Sequence, residues 1–170
     1  MFTLVVGGAA SGKSAYAEDW SASLSSRWVY LATMYPWDAE CVTRIQRHRR
    51  ARAGRGFETV ERYTDLAGLT IPEGTSVLLE DLGNLLSNEL YAPGGAGADA
   101  ALRGVEALLT RCEHLTVVTN EVFSGGADYG AETMEYLRAL AHLNRVLARR
   151  ADRLVEVLCG LPNVLKGGAI

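Results

Sequence analysis

Eight consecutive residues, Gly7-Gly8-Ala9-Ala10-Ser11-Gly12-Lys13-Ser14, have the composition and spacing of a phosphate-binding loop. Glycines let backbone N–H groups close around phosphate oxygens, and a helix opening at Lys13 adds its N-terminal potential. Lys13 can reach β- and γ-phosphates, and the Ser14 hydroxyl is a ligand type suited to Mg²⁺. Such a loop needs an acid at a neighbouring strand end to organise the metal. Two places offer one: Val77-Leu-Leu-Glu80-Asp81 and Val117-Val-Thr-Asn120-Glu121. Glu80 is the expected metal-side acid, while Asp81 serves equally well as the cap of a following helix.

A second constellation surrounds His48, in Arg44-Ile-Gln-Arg47-His48-Arg49-Arg50-Ala51-Arg52. On a helix, Arg44 and Arg52 flank the histidine at i−4 and i+4, so one face shows arginine, histidine, arginine. Neighbouring cations disfavour imidazolium and predict a neutral ring near pH 7. A neutral imidazole beside guanidinium groups suits nucleophilic attack on a nucleotide α-phosphate. On spacing alone the simpler reading is a solvated basic face, or a patch for RNA or an acidic partner. His114 and His142 read as structural or surface residues, and no Cys/His or carboxylate cluster has zinc spacing.

Elements that would position these groups follow from periodicity. Residues 3–6 form a short apolar and β-branched run ending in glycines, which predicts a buried strand. Tyr16, Ala17, Trp20 and Leu24 recur at helical spacing after Lys13. Further strands are expected over residues 28–32, 57–60, 76–79, 115–119 and 153–158. Helices are expected from Asp38 to about Arg52, stopped by Gly54 and Gly56, and over residues 82–91. Asp99 is the expected cap of a helix through Arg111. The longest amphipathic helix carries Met134, Leu137, Leu140, Leu143 and Leu147 on one face, after a loop over residues 124–130. Alternating strands and helices predict an α/β fold with a mainly parallel sheet covered on both faces, because parallel strands need crossover connections.

Composition bounds the rest. A chain of 170 residues, 48% hydrophobic and 22% charged, fits one globular domain over residues 1–170. Its apolar runs are far shorter than the ~20 residues of a membrane span, and no signal peptide pattern is visible. Cys41, Cys112 and Cys159 form neither a disulfide framework nor a metal spacing, which predicts a reducing, cytoplasmic setting. Net charge is only −3, but six arginines crowd residues 44–55 without an acid, leaving eleven other basic residues to face all 20 acids. A localised anionic partner is therefore expected.

Taken together, these motifs resemble the bifunctional adenosylcobinamide kinase/adenosylcobinamide-phosphate guanylyltransferase family of cobalamin biosynthesis. The resemblance rests on the loop over residues 7–14, Tyr30-Leu-Ala-Thr33, Arg44-Ile-Gln-Arg-His48, Phe57-Glu-Thr-Val-Glu61, Val77-Leu-Leu-Glu80, Val118-Thr-Asn-Glu-Val122 and the ending around Gly160 and Lys166. It implies a RecA-like P-loop fold and two reactions: phosphorylation of the aminopropanol hydroxyl of adenosylcobinamide, and transfer of GMP from GTP to that phosphate through a guanylylated histidine. His48 falls on that histidine, with Lys13 as its catalytic companion. Nucleotide contacts are implied for Gly7, Gly8, Ala9, Ala10, Ser11, Gly12, Lys13 and Ser14, for Thr33 with Met34 and Tyr35, and for Arg49, Arg50, Ala51, Arg52, Glu61 and Glu80. Ser14 and Glu80 are the implied metal side. GTP, ATP and Mg²⁺ are the implied cofactors, a corrinoid the substrate, and self-association the implied assembly, with no nucleic acid and no membrane span. Ala10 stands where many members have arginine, Arg49-Arg-Ala-Arg52 where many have Lys-Asp-Gly-Arg, and Phe123-Ser-Gly-Gly where many have Gly-Ile-Val-Pro.

Two other readings share some of these residues. A monofunctional P-loop kinase of another small metabolite would use the arginines to grip an anionic acceptor, with no covalent nucleotide. A nucleotide-dependent binding protein would use them for nucleic acid, but stacking aromatics are not interleaved with them.

Overall fold

Each short apolar run becomes a strand of one sheet in the computed structural model, which describes residues 1–52, 56–123 and 129–168, with residues 51 and 52 described by backbone alone. The expected helix stop at Gly54, the basic residue Arg55 and most of the 124–130 loop lie outside the described residues. The elements are β1 (Phe2–Gly7), α1 (Lys13–Leu24), β2 (Trp28–Ala32), α2 (Ala39–Arg52), β3 (Glu58–Glu61), β4 (Ser76–Glu80), α3 (Leu82–Tyr91), α4 (Ala98–Arg111), β5 (Leu115–Asn120), α5 (Ala131–Arg150), β6 (Arg153–Leu158) and β7 (Leu161–Lys166).

The sheet order is β3-β2-β4-β5-β1-β6-β7. All neighbours pair in parallel except β6 and β7. Strand β1, which carries the phosphate loop, is thus flanked by β5 and β6, and β5 separates it from β4. Register places Gly7 beside Asn120 and Ala32 beside Glu80. The candidate residues at these strand ends therefore share one carboxyl edge, where open α/β sheets bind ligands.

Successive strand side chains point to opposite faces, and the core divides accordingly. Leu4, Leu79 and Val117 pack with Leu85, Val105 and Leu143 from α3, α4 and α5. Val5, Leu78 and Val118 pack on the other face with Ala17 of α1. Burial of each leucine contributes about 1.5–3 kcal/mol, which anchors these helices firmly. Helix α2 differs. From Ala39 to Arg50 it has no buried residue, only half-buried Cys41 and Ile45.

Two features differ from what the sequence predicts. Asp99 does not cap α4; the helix starts at Ala98 behind Gly97, and Asp99 lies in its first turn. The approach is fixed instead by Glu89, whose backbone oxygen accepts from Gly97 N at 2.8 Å and whose carboxylate accepts from Ala96 N at 3.0 Å. Strand β7 has no counterpart among the expected strands. Its exposed sequence includes Pro162 and lacks apolar alternation, and an edge strand tolerates both. Asp38 does cap α2, accepting from Cys41 N at 2.7 Å, and Asp81 caps α3, accepting from Asn84 N at 2.7 Å. No described helix is long and apolar enough to cross a membrane.

Candidate active site

The loop between β1 and α1 is tightly braced. Gly12 has φ 90° and Ala10 φ 56°, both in the left-handed region that suits glycine. A Cβ on Gly7 would lie 2.5 Å from Ser11 Oγ and 2.7 Å from the Val157 carbonyl oxygen, so no larger residue fits there. Lys13 is almost fully buried, and its ammonium donates to the Gly8 carbonyl at 3.2 Å. The loop also receives support from the far end of the chain: Gly160 N donates to the Ser11 carbonyl at 2.8 Å. Gly160 stands in one of the segments that carry the family resemblance, but nothing in its sequence context points to this bracing role.

Across β5, the Ser14 hydroxyl donates to Glu80 Oε1 at 2.6 Å. The second carboxylate oxygen of Glu80 is buried without a hydrogen-bond partner. Burial, reinforced by the neighbouring Asp81 carboxyl, pushes the Glu80 pKa up to about 8. A hydroxyl and an unsatisfied carboxylate oxygen beside a phosphate loop fit a hard divalent cation such as Mg²⁺. The described residues hold no group of three or more His, Cys, Asp or Glu side chains placed for a metal, so phosphates and waters would complete such a shell.

Asp81 sits at the centre of a polar rack. Burial raises its pKa, against the pull of the Asn84 backbone N–H and of Lys13. Asn120 Nδ2 lies 3.5 Å from Asp81 Oδ2, and Asn144 holds the Asn120 carbonyl at 3.2 Å while its own oxygen accepts from Thr119 at 2.8 Å. Thr33, fully buried, donates its hydroxyl to the carbonyl oxygen of Asp81 at 2.8 Å. Buried Asn88 then ties Thr33 O at 2.7 Å to Tyr63 O at 3.0 Å.

A cavity of about 800 Å³ opens above this floor. Ala9, Ala10, Lys13 and Ser14 line it from the phosphate loop, Glu80 and Asp81 from the end of β4, and Arg44, Arg47 and His48 from α2. The exposed helix α2 thus presents its histidine to the same space as Lys13. That arrangement places a nucleophile type, three basic side chains and a buried acid around one volume.

Comparison with known proteins gives the family. A family model described as cobinamide kinase / cobinamide phosphate guanyltransferase matches residues 3–165. The chain belongs to this family. It is 31% identical over 178 residues to the bifunctional adenosylcobalamin biosynthesis protein CobU of Escherichia coli K12, covering 95% of the chain and 97% of that protein. It is also 31% identical to the bifunctional adenosylcobalamin biosynthesis protein CobP of Pseudomonas aeruginosa, with 98% of each covered. Against CobU of Salmonella typhimurium the identity is 29%, over 95% and 97%. The protein is accordingly a transferase of the cobinamide kinase / cobinamide phosphate guanyltransferase family, with a P-loop α/β fold.

The residues implied by this family fall into groups in the structure. Gly7, Gly8, Ser11 and Gly12 shape the loop, and Met34 lines the cavity with Lys13, Ser14, His48 and Glu80. Glu61 lines a smaller adjoining cavity together with Tyr30, His48 and Glu80. Thr33 is engaged with the backbone at the end of β4 instead of facing the cavity. Tyr35 lies against Trp37 and Tyr63, with ring centroids 4.6 and 5.2 Å away. Arg49 pairs with Glu61 at 2.6 Å, and Arg50 is exposed. The side chains of Ala51 and Arg52 lie outside the described residues. Asn84, Ser87, Tyr91, Asn120, Glu132, Thr133 and Tyr136 also line the large cavity, although, Asn120 apart, no motif marks them as site residues. Only Asn120 carries a signal, as the polar end of a strand.

Proposed function

We propose that this protein phosphorylates the aminopropanol hydroxyl of adenosylcobinamide and then transfers GMP from GTP to the phosphate through His48, giving adenosylcobinamide-GDP. The observation that carries the reading is the shared cavity, lined by Lys13 and Ser14 of the phosphate loop together with His48, Arg44 and Arg47 of α2. In the guanylyl transfer, an imidazole nitrogen attacks the α-phosphorus of GTP, a phosphorus–nitrogen bond forms, and pyrophosphate leaves. An oxygen of the corrinoid phosphate then attacks the same phosphorus, and the bond to nitrogen breaks. Arg44 and Arg47 offset charge on the phosphates as it redistributes. In the kinase step, Lys13 and the loop amides hold the nucleotide phosphates while the acceptor oxygen attacks the γ-phosphorus; the bond from that phosphorus to the β–γ bridging oxygen breaks, the nucleoside diphosphate leaves and the hydroxyl proton passes to solvent. Ser14 and Glu80 would hold Mg²⁺, which supplies charge neutralisation on the phosphates when bound.

ATP or GTP serves as phosphate donor in this scheme, and GTP as guanylyl donor. A kinase without a covalent nucleotide would leave the pairing of His48 with the arginines of α2 without a purpose. The test is incubation with α-labelled GTP and Mg²⁺, followed by denaturing gel analysis and mapping of the adduct by mass spectrometry. Wild-type protein is expected to carry acid-labile, base-stable GMP on His48, and His48→Ala none. Label persisting in His48→Ala would refute the assignment.

A further inference from the structure

The large cavity is chemically divided. Its P-loop and α2 side carries Lys13, Arg44 and Arg47 together with His48. The lining that α3 and the first turns of α5 supply carries no cation among the described residues: Asn84, Ser87 and Tyr91 come from α3, and Glu132, Thr133 and Tyr136 from α5, with Asn84 also reaching the smaller cavity beside His48. Asn84, Ser87 and Tyr91 are spaced three and four residues apart, so they share one helix face about 10 Å long. The buried residues Leu82, Leu85, Leu86 and Glu89 occupy the rest of the helix and hold that face in place.

The wall is a single surface. Tyr91 Oη donates to the Glu132 carbonyl at 3.4 Å, and Tyr136 Oη donates to the Gly83 carbonyl at 3.3 Å. Two helices distant in sequence are thereby fastened at two points. An amide, two hydroxyls and an aromatic ring face the cavity, groups that donate and accept hydrogen bonds without charge. The Tyr91 side chain is half exposed, leaving an apolar plane at the rim. The carboxylate on this wall, Glu132, would repel phosphate and accept from an amide NH₂.

A triphosphate is drawn to the cationic lining by Coulomb attraction, and the α3–α5 wall, with no cation and one carboxylate, offers little to an anion. At about 800 Å³ the cavity lies toward the upper end of the range for single ligand sites, leaving room beside a nucleotide. We propose that the α3–α5 wall is the acceptor subsite: Asn84, Ser87 and Thr133 hydrogen-bond the carboxamide-bearing rim of a corrinoid, and the Tyr91 ring packs against its macrocycle. This inference rests on the reading that the substrate is a corrinoid. It adds which surface recognises that substrate, and by which chemistry.

The test measures binding separately from turnover. Equilibrium dialysis of dicyanocobinamide, followed by its visible absorbance, is run on wild type, Ser87→Leu and Tyr91→Ala, with GTP binding and circular dichroism alongside. Tyr91 is half exposed, so Tyr91→Ala guards against a folding failure in Ser87→Leu. The expected result is at least a tenfold weaker corrinoid affinity in both variants, with GTP affinity within about twofold of wild type. Unchanged corrinoid affinity in folded variants would overturn the subsite, as would a wild-type protein that binds no cobinamide. Loss of GTP and corrinoid binding together would also overturn it, because a separate acceptor wall predicts a split. Corrinoid binding lost in the variants, with no phosphoryl or guanylyl transfer by wild type, would sink the proposed activity and leave the subsite standing.

Discussion

Ser14 and Glu80 are 66 residues apart in sequence, yet the serine hydroxyl donates to the glutamate carboxylate at 2.6 Å across the intervening strand β5. The contact joins the first turn of α1 to the end of β4 and sets the expected metal-side acid against the phosphate loop. It also explains why Glu80 is held in a costly place. A buried carboxyl beside another carboxyl is favoured in its neutral form, whereas a divalent cation needs the anion.

Binding of Mg²⁺ and nucleotide at pH 7 should therefore release a proton. With a pKa of about 8 before binding, Glu80 is mostly protonated at pH 7, and release should approach ~0.9 proton per site. Calorimetry in buffers of different ionisation enthalpy measures this count, and Glu80→Gln should remove it. Stability of the ligand-free protein runs in the matching direction. The raised pKa means that this group's contribution is full below about pH 4.5 and is lost as pH rises through about 8. Melting temperature should fall over that window in wild type and fall less in Glu80→Gln.

Lys13 and His48 should separate the two transfers. In the proposed mechanism Lys13 holds phosphates in both, so Lys13→Ala should lower phosphoryl and guanylyl transfer alike, each by about 10²-fold or more. His48→Ala should abolish GMP transfer to the corrinoid phosphate while phosphorylation of the hydroxyl remains within several-fold of wild type. Parallel assays with γ-labelled and α-labelled nucleotide decide the matter. Equal loss of both transfers in His48→Ala would remove the division of labour.

Much of this site is legible in the sequence because its chemistry is local. The loop over residues 7–14 carries spacing, strand and helix within two dozen residues, and Asp81 shows its capping role by preceding an apolar helical run. What escapes is non-local. Gly160 bonds Ser11 through a turn between β6 and β7, and β7 itself is an exposed edge strand with Pro162. Asn84, Ser87 and Tyr91 look like the solvated face of a helix until α5 is packed beside them. Thr33 is legible as a residue of interest, but its burial and its bond to the end of β4 follow only from the pairing of β2 with β4.

Asn88 should prove a structural keystone of the site. Its Nδ2 holds the carbonyls of Thr33 and Tyr63, and the residue is fully buried. Asn88→Ala strands both oxygens, each at ~1–3 kcal/mol, so a loss of roughly 2–4 kcal/mol is expected. For a chain of this size that corresponds to a fall of roughly 5–15 °C in melting temperature. Differential scanning calorimetry checks it, and a change under about 1 °C would show that the bonds are replaced by water.

The glycines around the phosphate loop should rank by backbone conformation and space. A Cβ added at Gly8 would meet no atom within 4 Å, and its φ is not positive, so Gly8→Ala should leave thermal stability near wild type. Gly160 also has open space but φ 80°, so Gly160→Ala should cost only the backbone strain of ~1–2 kcal/mol. Gly12 combines φ 90° with a Cβ position 3.0 Å from Gly160 Cα, so Gly12→Ala should be the least stable of the three. Because Gly160 N holds Ser11 O, Gly160→Ala should also weaken nucleotide binding several-fold, although the residue is far from Lys13 in sequence. Thermal melts and GTP titrations of the three variants test the order. Nucleotide affinity in Gly160→Ala equal to wild type would mean that the β6–β7 turn does not brace the loop.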